Sequence, residues 1–311
     1  MSNNVKKGHK NKQSYANTRT TGKEQYYTNA QVVDLCLKEV QKHIDLKDKS
    51  VLEPCGGTGE FIKGFQRIGI PDNLIYSYDI EPKHPMVQLG NYLETSFTQF
   101  DFVSITNPPF GRSSSLAKDF FNHAANHCSY ICYLIPKSWR KWTVQNSLDN
   151  KFHLIADIEM PKNCFYLPDS TTNEKDVLNT VFQIWEKREE PRQKIKIPDN
   201  KLIKKIQPSK KEVLDKNGKK AIRPDQITGS NFEIIVFGHS CGKCKELDPL
   251  QTYDAKTTTM YLNIERQDVK DFIKNHDFSN HFNNVAYVQA LSIEEINYEL
   301  NNHFGLKNFN F

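Results

Sequence analysis

No stretch of this chain is apolar for long enough to cross a bilayer, so no membrane partner is expected. Residues 1–23 hold no apolar core of the kind a secretory signal needs. A cysteine framework is missing too. The seven cysteines are scattered and odd in number, which suits a reducing compartment. The expected setting is cytoplasmic, or nuclear in a eukaryote, and not secreted. Neither of the common phosphate-binding fingerprints is complete. Glycines stand at 56, 57 and 59, but Gly64 falls too late for G-x-G-x-x-G, and no Lys-Ser/Thr pair closes a phosphate loop. Acid is absent from the first residues: Lys6, Lys7, Lys10, Lys12, Arg19 and Lys23 all precede Glu24. There are no internal repeats.

The chain has 311 residues, 37% hydrophobic and 25% charged, enough for one large domain and a small one. Its net charge of +5 is mild, but the charge is unevenly placed. Lys and Arg far outnumber acids between Lys187 and Arg223, as they do in the first residues. Both stretches could neutralise phosphates, or simply be solvated. The organisation expected is a disordered basic tail over 1–23, a catalytic domain over 24–187, a basic linker or strap over 188–230, and a small C-terminal domain over 231–311 that could recognise a target.

Apolar spacing predicts a helix over 30–43 capped by Asn29, with Val32, Val33, Leu35, Cys36, Leu37, Val40 and Ile44 on or near one face. Strands are expected at 50–54, 74–79, 102–106, 130–135, 152–160 and 181–185, with a helix opening at Phe61 and another over 116–128. Alternating strands and helices indicate a parallel sheet covered on both faces. Ligands in such sheets sit beyond the carboxyl ends of the strands, where Glu53, Asp79 and Asn107 fall. In the C-terminal part, strands are expected at 231–237 and 259–264, and helices at 267–275 and 293–304.

The run Phe102–Thr106 ends in Asn107-Pro108-Pro109-Phe110-Gly111. Two successive prolines stiffen the turn and keep it out of a sheet interior. The turn offers an amide at Asn107, a rigid carbonyl at Pro108 and a ring at Phe110, expected to be exposed. Together these can hold a planar amino-heterocycle: the ring stacks on its face, and the two oxygens accept the hydrogens of an exocyclic NH2. Upstream, Glu53-Pro54-Cys55-Gly56-Gly57-Thr58-Gly59-Glu60-Phe61 joins a strand to a helix.

This pair of motifs resembles the S-adenosylmethionine-dependent amino-methyltransferases, and most nearly the N6-adenine methyltransferases of DNA, with their Asp/Asn/Ser-Pro-Pro-aromatic signature. The segment Gln25-Tyr26-Tyr27-Thr28, placed first, resembles the family's gamma-type order, with Asn29 where proline is common. The resemblance covers residues 24–187 and implies a Rossmann-like methyltransferase fold, here followed by a smaller C-terminal α+β unit. It implies S-adenosylmethionine as cofactor and a nucleic acid as partner, DNA ahead of RNA. The glycine loop would lie against the methionine part of the cofactor, Asp79 would accept from its ribose hydroxyls, and Tyr27 and Thr28 would cover it. Asn91, in Gly90-Asn91-Tyr92-Leu93, stands where the family carries an acidic residue for the cofactor's adenine. The cofactor residues so implied are Tyr27, Thr28, Glu53, Pro54, Cys55, Gly56, Gly57, Gly59, Phe61, Asp79, Ile80, Asn91 and Tyr92. Those for the target base are Asn107, Pro108, Pro109 and Phe110. Adenine or guanine-N2 methylation of RNA, or an inactive nucleic-acid-binding descendant, are the competing readings.

Other motifs are weaker. Cys55 lies in the cofactor loop, not where a cytosine-C5 nucleophile would stand. Gly238-His239-Ser240-Cys241-Gly242 fits G-x-S-x-G, but no apolar helix follows it. His239, Cys241 and Cys244 supply half a zinc site with no second pair downstream, so a glycine-rich turn is expected and no metal is assigned. His123 and His127 read as solvated or packing residues. Lys137–Trp142 mixes tryptophan with base and could line a nucleic-acid groove or pack as a helix.

Overall fold

The computed structural model describes residues 26–111, 114–166, 178–196, 200–215 and 218–306. The tail expected over 1–23 lies outside them. The chain forms two compact units. One takes it up to Ile135, with Ala156–Leu178 and Phe182–Trp185; the other takes Pro136–Ile155, Asn179–Val181 and the chain from Glu186 onward.

Strand β1 (Tyr27–Thr28) leads into helix α1 (Ala30–His43), which buries Val32, Val33, Cys36, Leu37 and Val40; Ile44, just past its end, is buried too, whereas Leu35 of the expected face is exposed to water. Asn29 does not cap this helix with its side chain. Its amide donates instead to the Asn163 carbonyl at 2.6 Å, because the chain near Cys164 runs alongside, with Asn29 N bonded to Cys164 O at 2.9 Å. Strand β2 (Val51–Glu53) turns through the glycines into α2 (Glu60–Arg67), followed by β3 (Ile75–Asp79) and the edge strand β4 (Gln88–Leu89). All five residues of β5 (Phe102–Thr106) are buried, as a central strand covered on both faces requires. Helix α3 (Ser115–Ala124) is shorter than its spacing suggests: His127 lies past its end and Cys128 opens β6 (Cys128–Pro136). A single turn, α4 (Trp142–Gln145), then precedes β7 (Phe152–Glu159), β8 (Phe165–Tyr166) and β9 (Thr180–Lys187).

The main sheet has the order β4-β3-β2-β5-β6-β9-β7. Strands β4, β3, β2, β5 and β6 run parallel to one another. Strand β2 pairs with β3 on one side and β5 on the other, so the chain's direction of growth reverses there. A crevice beyond the carboxyl ends of β2 and β5 is the natural ligand site of such a sheet. This is a Rossmann-like α/β fold. Strands β1 and β8 form a separate antiparallel pair, Tyr27 opposite Tyr166 and Thr28 opposite Phe165.

The second unit begins differently from what composition suggests. Four short strands, β10 (Lys204–Ile206), β11 (Lys210–Leu214), β12 (Lys220–Pro224) and β13 (Gln226–Ile227), lie within the segment that reads as a linker. They are hidden in the sequence because almost all their side chains face water and show no apolar alternation. Strands β14 (Phe232–Ile235), β15 (Cys244–Glu246), β16 (Tyr253–Asp254) and β17 (Thr259–Asn263) precede helices α5 (Gln267–Asn275), α6 (Ser279–Phe282) and α7 (Ile293–His303). An antiparallel sheet, β10-β17-β14-β15, shares a core with α5 and α7 built on Phe232, Ile234, Leu262, Val269, Ile273 and Leu300. This is the α+β unit.

Lys137–Trp142 packs into this second unit, with Trp142 half-buried. Trp139 is wholly buried, and Lys141 pairs with the buried Glu295 at 2.8 Å. Gly238–Gly242 connects β14 to β15, a strand-turn-strand where a nucleophile elbow would need a helix. Burial pushes the Cys241 thiol up to about 11. Among the described residues, no three His, Cys, Asp or Glu are grouped to hold a metal ion.

Candidate active site

Asn107 follows the last residue of β5. Its Nδ2 donates to the Tyr26 carbonyl at 2.9 Å, which fixes the amide so that Oδ1 is the atom left over. That oxygen is buried and has no hydrogen-bond partner among the described residues. An unpaired buried acceptor costs about 1–3 kcal/mol, and a fold keeps one where a ligand is to meet it. The adjacent Pro108 carbonyl accepts no backbone amide among the described residues and is a second acceptor. Phe110 departs from expectation. Its ring is 7% exposed and meets Phe165 edge-on at 6.2 Å, because β8 lies beside the turn. It is a wall of the pocket, not a projecting platform.

The glycine loop lies across from this turn. Gly57 has φ +47°, and a Cβ there would come within 3.0 Å of the Tyr27 ring, so the aromatic strap lies directly over the loop. Gly59 plays another part. With φ +76° and His84 Cγ only 2.5 Å from where a Cβ would be, it starts α2 under the His84 ring and does not line the pocket. Asp79 ends β3 and accepts from Gly57 N through Oδ2 at 2.9 Å and from Glu81 N through Oδ1 at 2.8 Å. Each oxygen keeps a lone pair for a further donor. Thr58 bonds Tyr166 OH at 2.9 Å, tying the loop to β8.

Cys55 Sγ sits 3.0 Å from Thr106 Oγ1 and 3.1 Å from the Asn107 carbonyl, and burial pushes its thiol well above the ordinary value. It braces β2 against β5 and is no nucleophile. Asn91 also departs from its assignment. Its Oδ1 accepts from Leu93 N at 3.2 Å and its Nδ2 donates to Glu94 at 2.7 Å, so the side chain caps its own turn. Short polar side chains readily take this local option. Tyr92 is 1% exposed with its hydroxyl on His127 Nε2 at 2.8 Å; only its ring reaches the pocket.

Glu53 is 2% exposed, and burial, reinforced by Asp79, raises its carboxyl well above the usual range. The folded chain thus holds this proton more tightly than the unfolded chain, where Glu titrates near about 4.3. The resulting stability is complete below that pH and is lost as pH rises through the folded-state value. Glu53→Gln should therefore flatten the fall in melting temperature as pH rises above the ordinary carboxylate range, by about 2–4 °C for each kcal/mol involved. Parallel melting curves for the two proteins would show that Glu53 is not the group responsible.

These elements enclose a cavity of about 470 Å³, within the range of small-molecule and cofactor sites. Apart from Gly59, it is lined by every residue assigned from sequence: Tyr27, Thr28, Glu53, Pro54, Cys55, Gly56, Gly57, Phe61, Asp79, Ile80, Asn91, Tyr92 and Asn107–Phe110. Sequence reasoning does not assign Thr58, Glu60, Glu81, Leu93, Leu116 or Phe120, which also line it. Leu116 and Phe120 follow the Asn-Pro-Pro-Phe turn at helical spacing, a cue that could have found them.

No protein-family model matches the sequence, and no curated protein does. Among solved structures, the chain is similar to a candidate RNA methyltransferase of Pyrococcus horikoshii, at 17% identity over 57% of this chain and 94% of that one, TM-score 0.42. It is also similar to the modification subunit of a candidate type I restriction enzyme from Vibrio vulnificus, at 16% identity over 57% of this chain and 48% of that one, TM-score 0.38. A third is the 23S rRNA methyltransferase ErmE, at 13% identity over 54% of this chain and 71% of that one, TM-score 0.37. The chain thus spans about half of the Vibrio subunit. Likeness at this level does not speak to substrate.

Proposed function

We propose that this protein transfers a methyl group from S-adenosylmethionine to the exocyclic N6 of adenine in a polynucleotide, DNA ahead of RNA. The carrying observation is the orphaned, buried Oδ1 of Asn107, turned away from Tyr26 in the same cavity as the glycine loop and Asp79. We take 24–187 as the catalytic domain and 231–311 as a small domain for the target.

The donor set fits the cofactor. A loop without a phosphate fingerprint suits a ligand without a pyrophosphate, and Asp79 at the end of β3 retains acceptor capacity for two ribose hydroxyls. Glu53 lines the same cavity, and a positively charged ligand beside it would favour the ionised form that burial otherwise opposes. When bound, S-adenosylmethionine supplies an electrophilic methyl group on a sulfonium. Asn91 contributes through its backbone turn, since its side chain is spent, and Ile80, 63% exposed at the cavity's edge, offers an apolar face.

The chain's task toward the target is geometric. An adenine amino nitrogen is a poor nucleophile because its lone pair is delocalised into the ring. With the Asn107 oxygen and the Pro108 carbonyl each accepting one N6 hydrogen, the nitrogen is drawn toward tetrahedral geometry and its lone pair is aimed. Phe110 offers its ring to the face of a base turned out of the helix. Fixed dipoles in a dry pocket and the proximity of the two reactants supply the remainder. Transfer would form the nitrogen–methyl bond as the sulfonium's carbon–sulfur bond breaks to leave a neutral thioether, and the nitrogen would release one proton to solvent, so no strong base is required.

Incubation with tritiated S-adenosylmethionine and DNA, RNA or protein, followed by nucleoside analysis, should place the label in N6-methyladenine. Label in guanine, cytosine or glutamine with none in adenine would refute the proposal.

A further inference from the structure

Strands β11 and β12 form a two-stranded ribbon bonded to no third strand among the described residues. Lys210 pairs with Pro224, Lys211 with Arg223, Glu212 with Ile222, Val213 with Ala221 and Leu214 with Lys220. Cross-strand partners share a face, and faces alternate along each strand. One face therefore carries Lys210, Glu212, Leu214, Lys220, Ile222 and Pro224, and the other carries Lys211, Val213, Ala221 and Arg223. Two cations are neutralised, Lys211 by Asp225 at 2.7 Å and Lys220 by Glu212 at 2.8 Å. Lys210, Lys219 and Arg223 are exposed and have no carboxylate partner among the described residues.

Lysines also guard the open edges of a ribbon against pairing with other chains. That accounts for the cations but not for Leu214 and Ile222, which are 68% and 72% exposed on the same face, diagonal to one another. Large aliphatics held in water between lysines mark a surface meant to be covered. A membrane or a flat acidic protein would engage one face and leave the other's cations in water. A groove walled by phosphates on both sides meets both. The major groove of B-form DNA admits a two-stranded ribbon and presents thymine methyls to apolar side chains on its floor, whereas the A-form major groove is too narrow to be entered.

We infer that the β11–β12 ribbon is a DNA-docking arm that enters the major groove of a B-form duplex, Leu214 and Ile222 toward the base edges and Lys210, Lys219 and Arg223 toward the phosphates. The inference deepens the proposed function and rests on its polynucleotide target.

The test uses the full chain with Lys210, Lys219 and Arg223 replaced by Gln, and separately Leu214→Ser with Ile222→Ser. Binding to a short B-form DNA duplex, an RNA duplex of the same sequence and phosphatidylserine vesicles is measured by anisotropy or sedimentation between about 50 and 200 mM salt. The charge variant should bind DNA about tenfold or more weakly, with its slope of log affinity against log salt reduced by about 0.9 for each phosphate no longer neutralised. The serine variant should weaken DNA binding with the slope unchanged, and the RNA duplex should be indifferent to both. Wild-type DNA affinity and slope in both variants would overturn the inference. So would equal losses on the RNA duplex, or losses confined to vesicles. Methyl transfer to a single-stranded oligonucleotide, run alongside, judges the catalytic proposal by itself. If the wild type methylates the single strand while both variants bind duplex normally, only the ribbon inference falls. If no polynucleotide is methylated, the catalytic proposal falls whatever the ribbon does.

Discussion

Asn107→Ala should end turnover while cofactor affinity stays within a few-fold of wild type. The substitution removes the side-chain acceptor that would hold one N6 hydrogen, and the remaining Pro108 carbonyl cannot orient the amine alone. Loss of one preorganised hydrogen bond at a reacting centre costs about 10²–10³-fold in rate, and the missing aim of the lone pair adds to that. Cofactor binding should survive because Cys55 bonds the Asn107 backbone carbonyl, which the variant keeps. The Tyr26 carbonyl does lose its donor, so Asn107→Asp is the informative companion. It restores an acceptor toward the target but not the donor toward Tyr26, and should recover part of the rate. Single-turnover methyl transfer beside calorimetry with the cofactor decides the matter. A large fall in cofactor affinity for Asn107→Ala would mean that this amide serves the cofactor.

What the sequence makes legible follows from how local each determinant is. The end of β5 is legible because Pro108 and Pro109 forbid a continued strand whatever surrounds them. Helix α1 is legible because its apolar face is written at helical spacing, and the Rossmann-like sheet follows from the alternation of such segments. The misreadings share a different cause. Phe110 is buried by Phe165, and Asn29 is turned aside by Asn163, because β8 returns to pair with β1. No local pattern announces a two-residue strand formed from the far side of the unit. Asn91 reads as facing a ligand, whereas its own turn offers Leu93 N and Glu94 as partners within a few residues. Trp139 and Lys141 are open in sequence between groove and packing, and the buried Glu295 in the second unit claims Lys141. The ribbon at 210–224 is invisible for the opposite reason: with water on both faces, strand periodicity has nothing to record.

Asp79→Ala should produce the converse of the Asn107 result, a loss of cofactor affinity of about 2–4 kcal/mol, or roughly 30- to 1000-fold. Two hydrogen bonds to a charged acceptor account for the lower part of that range. The upper part comes from the loop, because the carboxylate also holds Gly57 N at 2.9 Å and Glu81 N at 2.8 Å and so fixes the chain on both sides of the ligand. The two contributions separate by experiment. A 2′-deoxy analogue of the cofactor lacks one hydroxyl, so wild type should bind it more weakly than the parent, whereas the variant should hardly distinguish the two. That pattern, closed as a double-mutant cycle, isolates the ribose contact from loop support. Asp79→Asn, which keeps one oxygen acceptor, should lie between. If the variant's dissociation constant is unchanged, or if wild type and variant lose equally with the deoxy analogue, Asp79 acts only as a brace for the glycine loop. The ribose must then be held by some other group on the cavity wall, with Glu81 the nearest carboxylate along the chain.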